Sequence, residues 1–224
     1  AASVGAMQLM QIATRIDKAA HETLRLKAAQ WTEVLTDCAN RALRALDDGA
    51  TFELGTATLR VHHTAGHAKH HFVVEDPQLE TVYTGDAFGL VYPALQRGAR
   101  FAFPSTSPTD FDPAQARRSI DRILALGAKT ACLTHFDAVS DLAEVATQLR
   151  AWIDRSEEWL DDAASGDRPV AELTARIAAE LRDAMIADAA GRGIALDDSD
   201  LKLLALDIEL NAQGIAYVAE KRRH

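Results

Sequence analysis

The sequence predicts a mixed α/β (α+β) fold, and three observations predict it. Apolar spacing is helical up to Leu46 and changes to β-like runs at Thr51. A capped helix starting at Asp112-Pro113 leads into a short strand, Lys129–Thr134. From Ser140 to the end the chain is amphipathic and rich in alanine.

Residues 1–49 read as helical. Ser3 is placed to cap a first helix carrying Val4, Met7, Leu9, Met10 and Ile12, and a second is expected from about Gln30 to Leu46. Asp47-Asp48-Gly49 supplies turn chemistry. Thr51–Leu54 and Thr56–Val61 are strands joined at Gly55, a tight hairpin. Phe72–Val74 and Thr81–Thr84 are the next two strands. The segment from Phe88 to Phe111 is irregular, with Pro93, Gly98, Pro104 and Pro108, and a loop of that length is expected to border a pocket. Asp112 as N-cap and Pro113 at the first position start a helix with Ala116, Ile120, Ile123 and Leu124 as its buried stripe, and Gly127 stops it. Ser140 is expected to cap a helix with Leu142, Val145, Leu149, Trp152, Ile153 and Leu160 on one face. Gly166-Asp167-Arg168-Pro169 breaks the chain. One helix then carries Val170, Leu173, Ile177, Leu181 and Met185, and a last one runs from about Ser199 to Lys221. This divides the chain into residues 1–165 and a helical appendage, 166–224.

The 224 residues carry a net charge of −9, which argues against nucleic acid or an anionic membrane as partner. No apolar run approaches a membrane span and no signal-peptide pattern is visible. The two cysteines, Cys38 and Cys132, make no disulfide framework, and Cys132 reads as a small buried hydrophobe. A cytoplasmic protein acting on a small molecule is the expectation, with the apolar faces of the terminal helices available for a homodimer.

Five of the eight histidines lie between Leu59 and Gly89: His62, His63, His67, His70 and His71. Only His67 sits in a glycine turn just past a strand. Asp86 sits in a second such turn, and His135 follows a third strand directly. Taken singly, each is as readily an ordinary polar residue at a strand end. Together, two imidazoles and a carboxylate can hold a transition metal with open positions, zinc or iron. His62 alternates to the face opposite His63 and is not expected to be a ligand; His70 and His71 read as structural or surface residues, and His21 as a surface residue.

His63-Thr64-Ala65-Gly66-His67, Thr84-Gly85-Asp86-Ala87 and Leu133-Thr134-His135-Phe136, in that order, resemble motifs of the metallo-β-lactamase-fold hydrolases. The resemblance covers roughly residues 45 to 160. It implies the C-terminal part of a four-layer αββα sandwich with an added helical region. It also implies two zinc ions, with iron as the alternative: His67 on the first metal, Asp86 as the bridging, catalytic carboxylate, and His135 on the second. The implied chemistry is attack by a metal-bound hydroxide on an ester, lactone, thioester or similar small substrate.

The sequence also departs from that family. Its first motif, His-x-His-x-Asp-His, is absent, and Ala1–Met7 resembles the helix entry just past that motif, so the expectation is a domain incomplete at its N-terminal side. Ala65 stands where proline is usual, and Lys69-His70 replaces a common Pro-Gly. Two other functions compete. A two-His, one-carboxylate set suits a mononuclear iron oxygenase of the same fold. A chain short of ligands could instead be a non-catalytic assembly module.

Overall fold

Gly55 reverses the chain in the computed structural model, which describes residues 46–106, 110–135 and 137–223. Its φ of 62° is one that only glycine adopts without strain, as a two-residue hairpin turn needs. The turn joins β1 (Thr51–Leu54) to β2 (Ala57–His63), paired antiparallel with Leu54 opposite Ala57. β3 (Phe72–Asp76) and β4 (Thr81–Gly85) continue the meander, β5 (Thr130–Leu133) pairs parallel to β4, and β6 (Ala138–Val139) closes the edge. The result is one six-stranded sheet in the order β1-β2-β3-β4-β5-β6. The helices expected before Leu46 lie outside the described residues.

Four long helices accompany this sheet among the described residues: α1 (Pro113–Ala125), α2 (Leu142–Ser165), α3 (Val170–Gly191) and α4 (Asp198–Arg223). α1 starts as its sequence predicts. The Asp112 carboxylate accepts the Gln115 backbone N–H at 2.9 Å, and Gln115 Nε2 donates back to it at 2.9 Å. The start of α2 differs from expectation, because Asp141, not Ser140, is its N-cap residue and makes no side-chain cap bond. The Asp141 carboxylate is taken up on both oxygens by Arg100, at 2.8 and 2.6 Å, so the segment before α1 is tied to the foot of α2.

Strand alternation divides the apolar residues between two faces. Val73, Val82, Ala131 and Leu133 face the helices and join Ile120, Ile123, Leu149, Ile153 and Leu160 in the main core. Leu173 and Ile177 of α3 and Ala212 and Ile215 of α4 belong to the same cluster. Each buried valine, leucine and isoleucine among them contributes about 1.5–3 kcal/mol by leaving water. The opposite sheet face carries a second buried cluster, Phe52, Leu59, Val61 and Val74. A sheet buried on both faces is an inner layer, as the mixed α/β sandwich requires. Trp152 is buried beside Leu181, Met185, Leu204 and Ile208, and Cys132 is buried too.

Candidate metal centre

The parallel pairing of β4 with β5 sets the geometry of the site. Their ends lie side by side, with Gly85 opposite Leu133 after a register shift. Residues just beyond the carboxyl ends of such strands meet in one crevice. Asp86 begins a short 3-10 turn after β4, and His135 lies in the turn after β5. His67 arrives from the end of β2, in a turn that α1 holds in place. Ser119 Oγ donates to the Ala65 carbonyl at 2.6 Å, and the Asp112 N–H donates to the Gly66 carbonyl at 2.8 Å. Gly66 has φ 135°, and a Cβ there would run into the Ala116 backbone, so only glycine lets α1 approach this closely.

The three expected residues come together. His67 Nε2 lies 3.6 Å from Asp86 Oδ2, and His135 Nε2 lies 3.2 Å from Asp86 Oδ1. Each imidazole faces a different oxygen of one carboxylate. The His67 and Asp86 side chains are 14% and 17% exposed, whereas His135 is 47% exposed, so the cluster opens on the His135 side.

The tautomers follow from the partners. His67 Nδ1 lies 3.1 Å from the Ser105 carbonyl, which can only accept, so Nδ1 carries the proton and Nε2 the lone pair. This is the arrangement of a metal-binding histidine anchored through its other nitrogen. His135 is drawn toward its charged form, first by Asp86 beside it, against its burial, and further by the charges of Asp86 and Asp207. Burial opposes ionisation of Asp86, but the adjacent imidazoles of His135, His67 and His71 outweigh it and hold the carboxyl below its ordinary range.

His71, read from sequence as structural or surface, belongs to this cluster. It is buried, its ring lies edge-on to His67 at 5.8 Å, and its Nε2 accepts the Asp86 backbone N–H at 3.2 Å. An amide can only donate, so the proton is on Nδ1, 2.9 Å from Thr64 Oγ1. The other histidines of the stretch go elsewhere. His62 Nε2 bonds Glu75 at 2.7 Å, and His63 Nε2 bonds the Leu46 carbonyl at 2.7 Å, while His70 is exposed.

α4 borders the centre. Asp207 lies near enough to His135 for their charges to interact, and Tyr92 O–H donates to Asp207 at 2.8 Å. Burial is the main cause of the raised Asp207 pKa, with Tyr92 and His135 opposing it. Nothing local in the sequence around Asp207 announced this.

The donor set suits a metal at its centre. Asp86 Oδ1 is buried without a hydrogen bond of ordinary geometry, with His135 Nε2 3.2 Å away. A buried anionic oxygen left so is costly unless a cation meets it. Among the described residues, however, no group of three His, Cys, Asp or Glu is arranged to hold one ion by itself. The described residues therefore supply a shared carboxylate with one imidazole at each oxygen, rather than a closed coordination shell.

A six-stranded sheet with helices packed on one face, delivering histidine and aspartate to one crevice at its strand ends, makes this a mixed α/β domain. The family model of the metallo-beta-lactamase superfamily matches residues 21–135, and the chain belongs to that superfamily. Among solved structures, a metallo-beta-lactamase family protein of Thermus thermophilus is 22% identical, with 79% of this chain and 48% of that chain covered and a TM-score of 0.46. A superfamily protein of the archaeon Sulfolobus tokodaii is 18% identical, with 76% and 50% covered and a TM-score of 0.41. The chain spans about half the length of these structures. No curated protein matches it. No helix among the described residues is long and apolar enough to cross a membrane.

Proposed function

We propose that the protein is a metal-dependent hydrolase of a small ester, lactone, thioester or related substrate, with His67, Asp86 and His135 as its metal-binding residues. The observation that carries this reading is Asp86: two imidazoles face its two oxygens, and Oδ1 is buried without a hydrogen-bond partner. The reading takes two zinc ions, which His67, Asp86 and His135 would help to hold. When bound, the metal would supply a Lewis acid for the scissile carbonyl and a lowered pKa for the attacking water. The chain's own residues prepare the site. Asp86, held ionised, keeps both oxygens available as acceptors, and His71 fixes its backbone. His67 presents Nε2, and the open side at His135 is where substrate would enter.

The same reading includes a cytoplasmic homodimer formed through the terminal helices. α4 exposes Leu203, Leu206, Leu210 and Tyr217 along one stripe. Antiparallel pairing of two copies about Leu210 sets Leu203 against Tyr217.

The test is metal analysis of protein purified without added metal, followed by hydrolysis assays on ester, lactone and thioester panels with and without Zn2+. Zinc uptake with Zn2+-dependent hydrolysis supports the reading. One iron per chain with thiol-dependent oxygen uptake replaces it with an oxygenase, and a folded chain with no metal affinity overturns it.

A further inference from the structure

We propose that Asn211 of α4 is a positioning residue of the metal centre: it fixes the Ser105 carbonyl and, through it, the tautomer and orientation of His67. The functional meaning of this role rests on the hydrolase reading above.

Asn211 is 4% exposed and lies on the buried stripe formed by Leu204, Ile208, Ala212 and Ile215. An apolar side chain would pack there with no polar groups to satisfy, so the amide must have partners. It has them on both sides of Ser105. Its Oδ1 accepts the Thr106 backbone N–H at 2.8 Å, and its Nδ2 donates to the Pro104 carbonyl at 3.0 Å. Its own backbone carbonyl accepts Thr106 Oγ1 at 3.0 Å. Ser105 is therefore held from both neighbours, and its carbonyl accepts His67 Nδ1–H.

The chain of contacts is continuous: Asn211, the Pro104–Thr106 backbone, His67 Nδ1, then His67 Nε2 facing Asp86 Oδ2 at 3.6 Å. A carbonyl held in place keeps the proton on Nδ1 and the lone pair on the nitrogen that faces the carboxylate. α4 thus reaches the chemistry without contributing a ligand.

The test reads the His67 ring directly, in the metal-free full chain, by long-range 1H–15N correlation. The wild-type ring is expected to be protonated at Nδ1. In Asn211→Ala it is expected to become a mixture of both tautomers, with the His62 and His71 rings unchanged. Gln148→Ala is the control. Gln148 is also a buried amide gripping this segment, at Ala102 N–H and the Arg100 carbonyl, but it does not bracket Ser105, so the His67 ring should stay as in wild type. If Asn211→Ala does not fold, Asn211→Asp carries the test, since it keeps the acceptor for Thr106 and sets a carboxylate oxygen against the Pro104 carbonyl in place of the donor. Affinity for Zn2+ alone, by calorimetric titration, should fall about tenfold or more in the Asn211 variant. A His67 ring that stays wholly Nδ1-protonated in a folded Asn211 variant overturns the proposal. A mixed tautomer in a chain whose wild type takes up no Zn2+ upholds the positioning role and overturns the metal reading instead.

Discussion

His71 Nε2 accepts the backbone N–H of Asp86 at 3.2 Å, so a buried neutral imidazole holds the residue that His67 and His135 flank. Burial, followed by the neighbouring His67 imidazole, lowers the His71 pKa from 6.5 to about 4, against the pull of Asp86. The unfolded chain binds this proton near 6.5 and the folded one does not, so stability falls as pH drops from 6.5 toward about 4. The effect amounts to about 3 kcal/mol over that window. Asp86, with its lowered pKa, loses its contribution only below 3.8, and His135, with its raised pKa, loses its own only above 6.5. Urea unfolding of the metal-free protein across this range, compared with His71→Gln, isolates the effect as a difference in slope. Equal slopes would remove His71 from this role.

Asp86→Ala and His62→Ala separate the centre from its surroundings. Both residues are shielded, but His62 bonds Glu75 on β3 and takes no part in the cluster. Asp86→Ala should lower Zn2+ affinity by more than the roughly 10–100-fold that accompanies loss of a second-sphere partner. His62→Ala should leave Zn2+ uptake unchanged and cost about 1–3 kcal/mol of stability, because the Glu75 carboxylate loses its 2.7 Å partner and keeps only Arg60 at 3.6 Å. Calorimetric titration and chemical denaturation of both variants read these outcomes, and equal losses of affinity would refute the ligand assignment.

What could be read from sequence was local. Asp112-Pro113 announces α1 because cap and proline act within one turn, and Gly55 announces the hairpin through its own φ. His67, Asp86 and His135 were legible because each ends a strand beside a turn. His71 was not, because its role depends on β4 ending beside it, and a histidine at a strand start carries no mark of that. Asp141 rather than Ser140 begins α2, and its carboxylate is claimed by Arg100, 41 residues away, a partner no local pattern reveals. Asn211 meets Thr106 across 105 residues, and its one local sign is an amide within an apolar stripe.

Gly66→Ala tests the approach of α1 to the His67 turn. The new Cβ would collide with the backbone of Ala116, which cannot rotate away as a side chain could. Overpacking of this kind costs about 1–3 kcal/mol, and the φ of 135° adds strain for any L-residue. Gly98→Ala is the comparison, with φ 84° and open space around it, so only backbone strain of about 1–2 kcal/mol applies. Denaturation midpoints should therefore fall further for Gly66→Ala. Its Zn2+ affinity should fall too, because the turn carrying His67 moves with α1, while Gly98→Ala keeps wild-type affinity.

Leu206 is 66% exposed at the middle of α4, between Leu203 and Leu210, and a leucine stripe open to water along one helix favours burial against a second copy. The buried face of the same helix is occupied by Leu204, Ile208, Ala212 and Ile215, and among the described residues the exposed stripe belongs to no buried cluster. Leu206→Lys combined with Leu210→Lys should therefore leave far-UV circular dichroism and the unfolding midpoint of the monomer intact, while placing like charges across the proposed two-fold. Sedimentation velocity should give a dimer for the wild-type chain and a monomer for the double variant. Raising salt should hardly weaken the wild-type dimer, because the stripe it buries is apolar. A wild-type chain that sediments as a monomer at every accessible concentration would remove the homodimer and leave this stripe without an assigned partner.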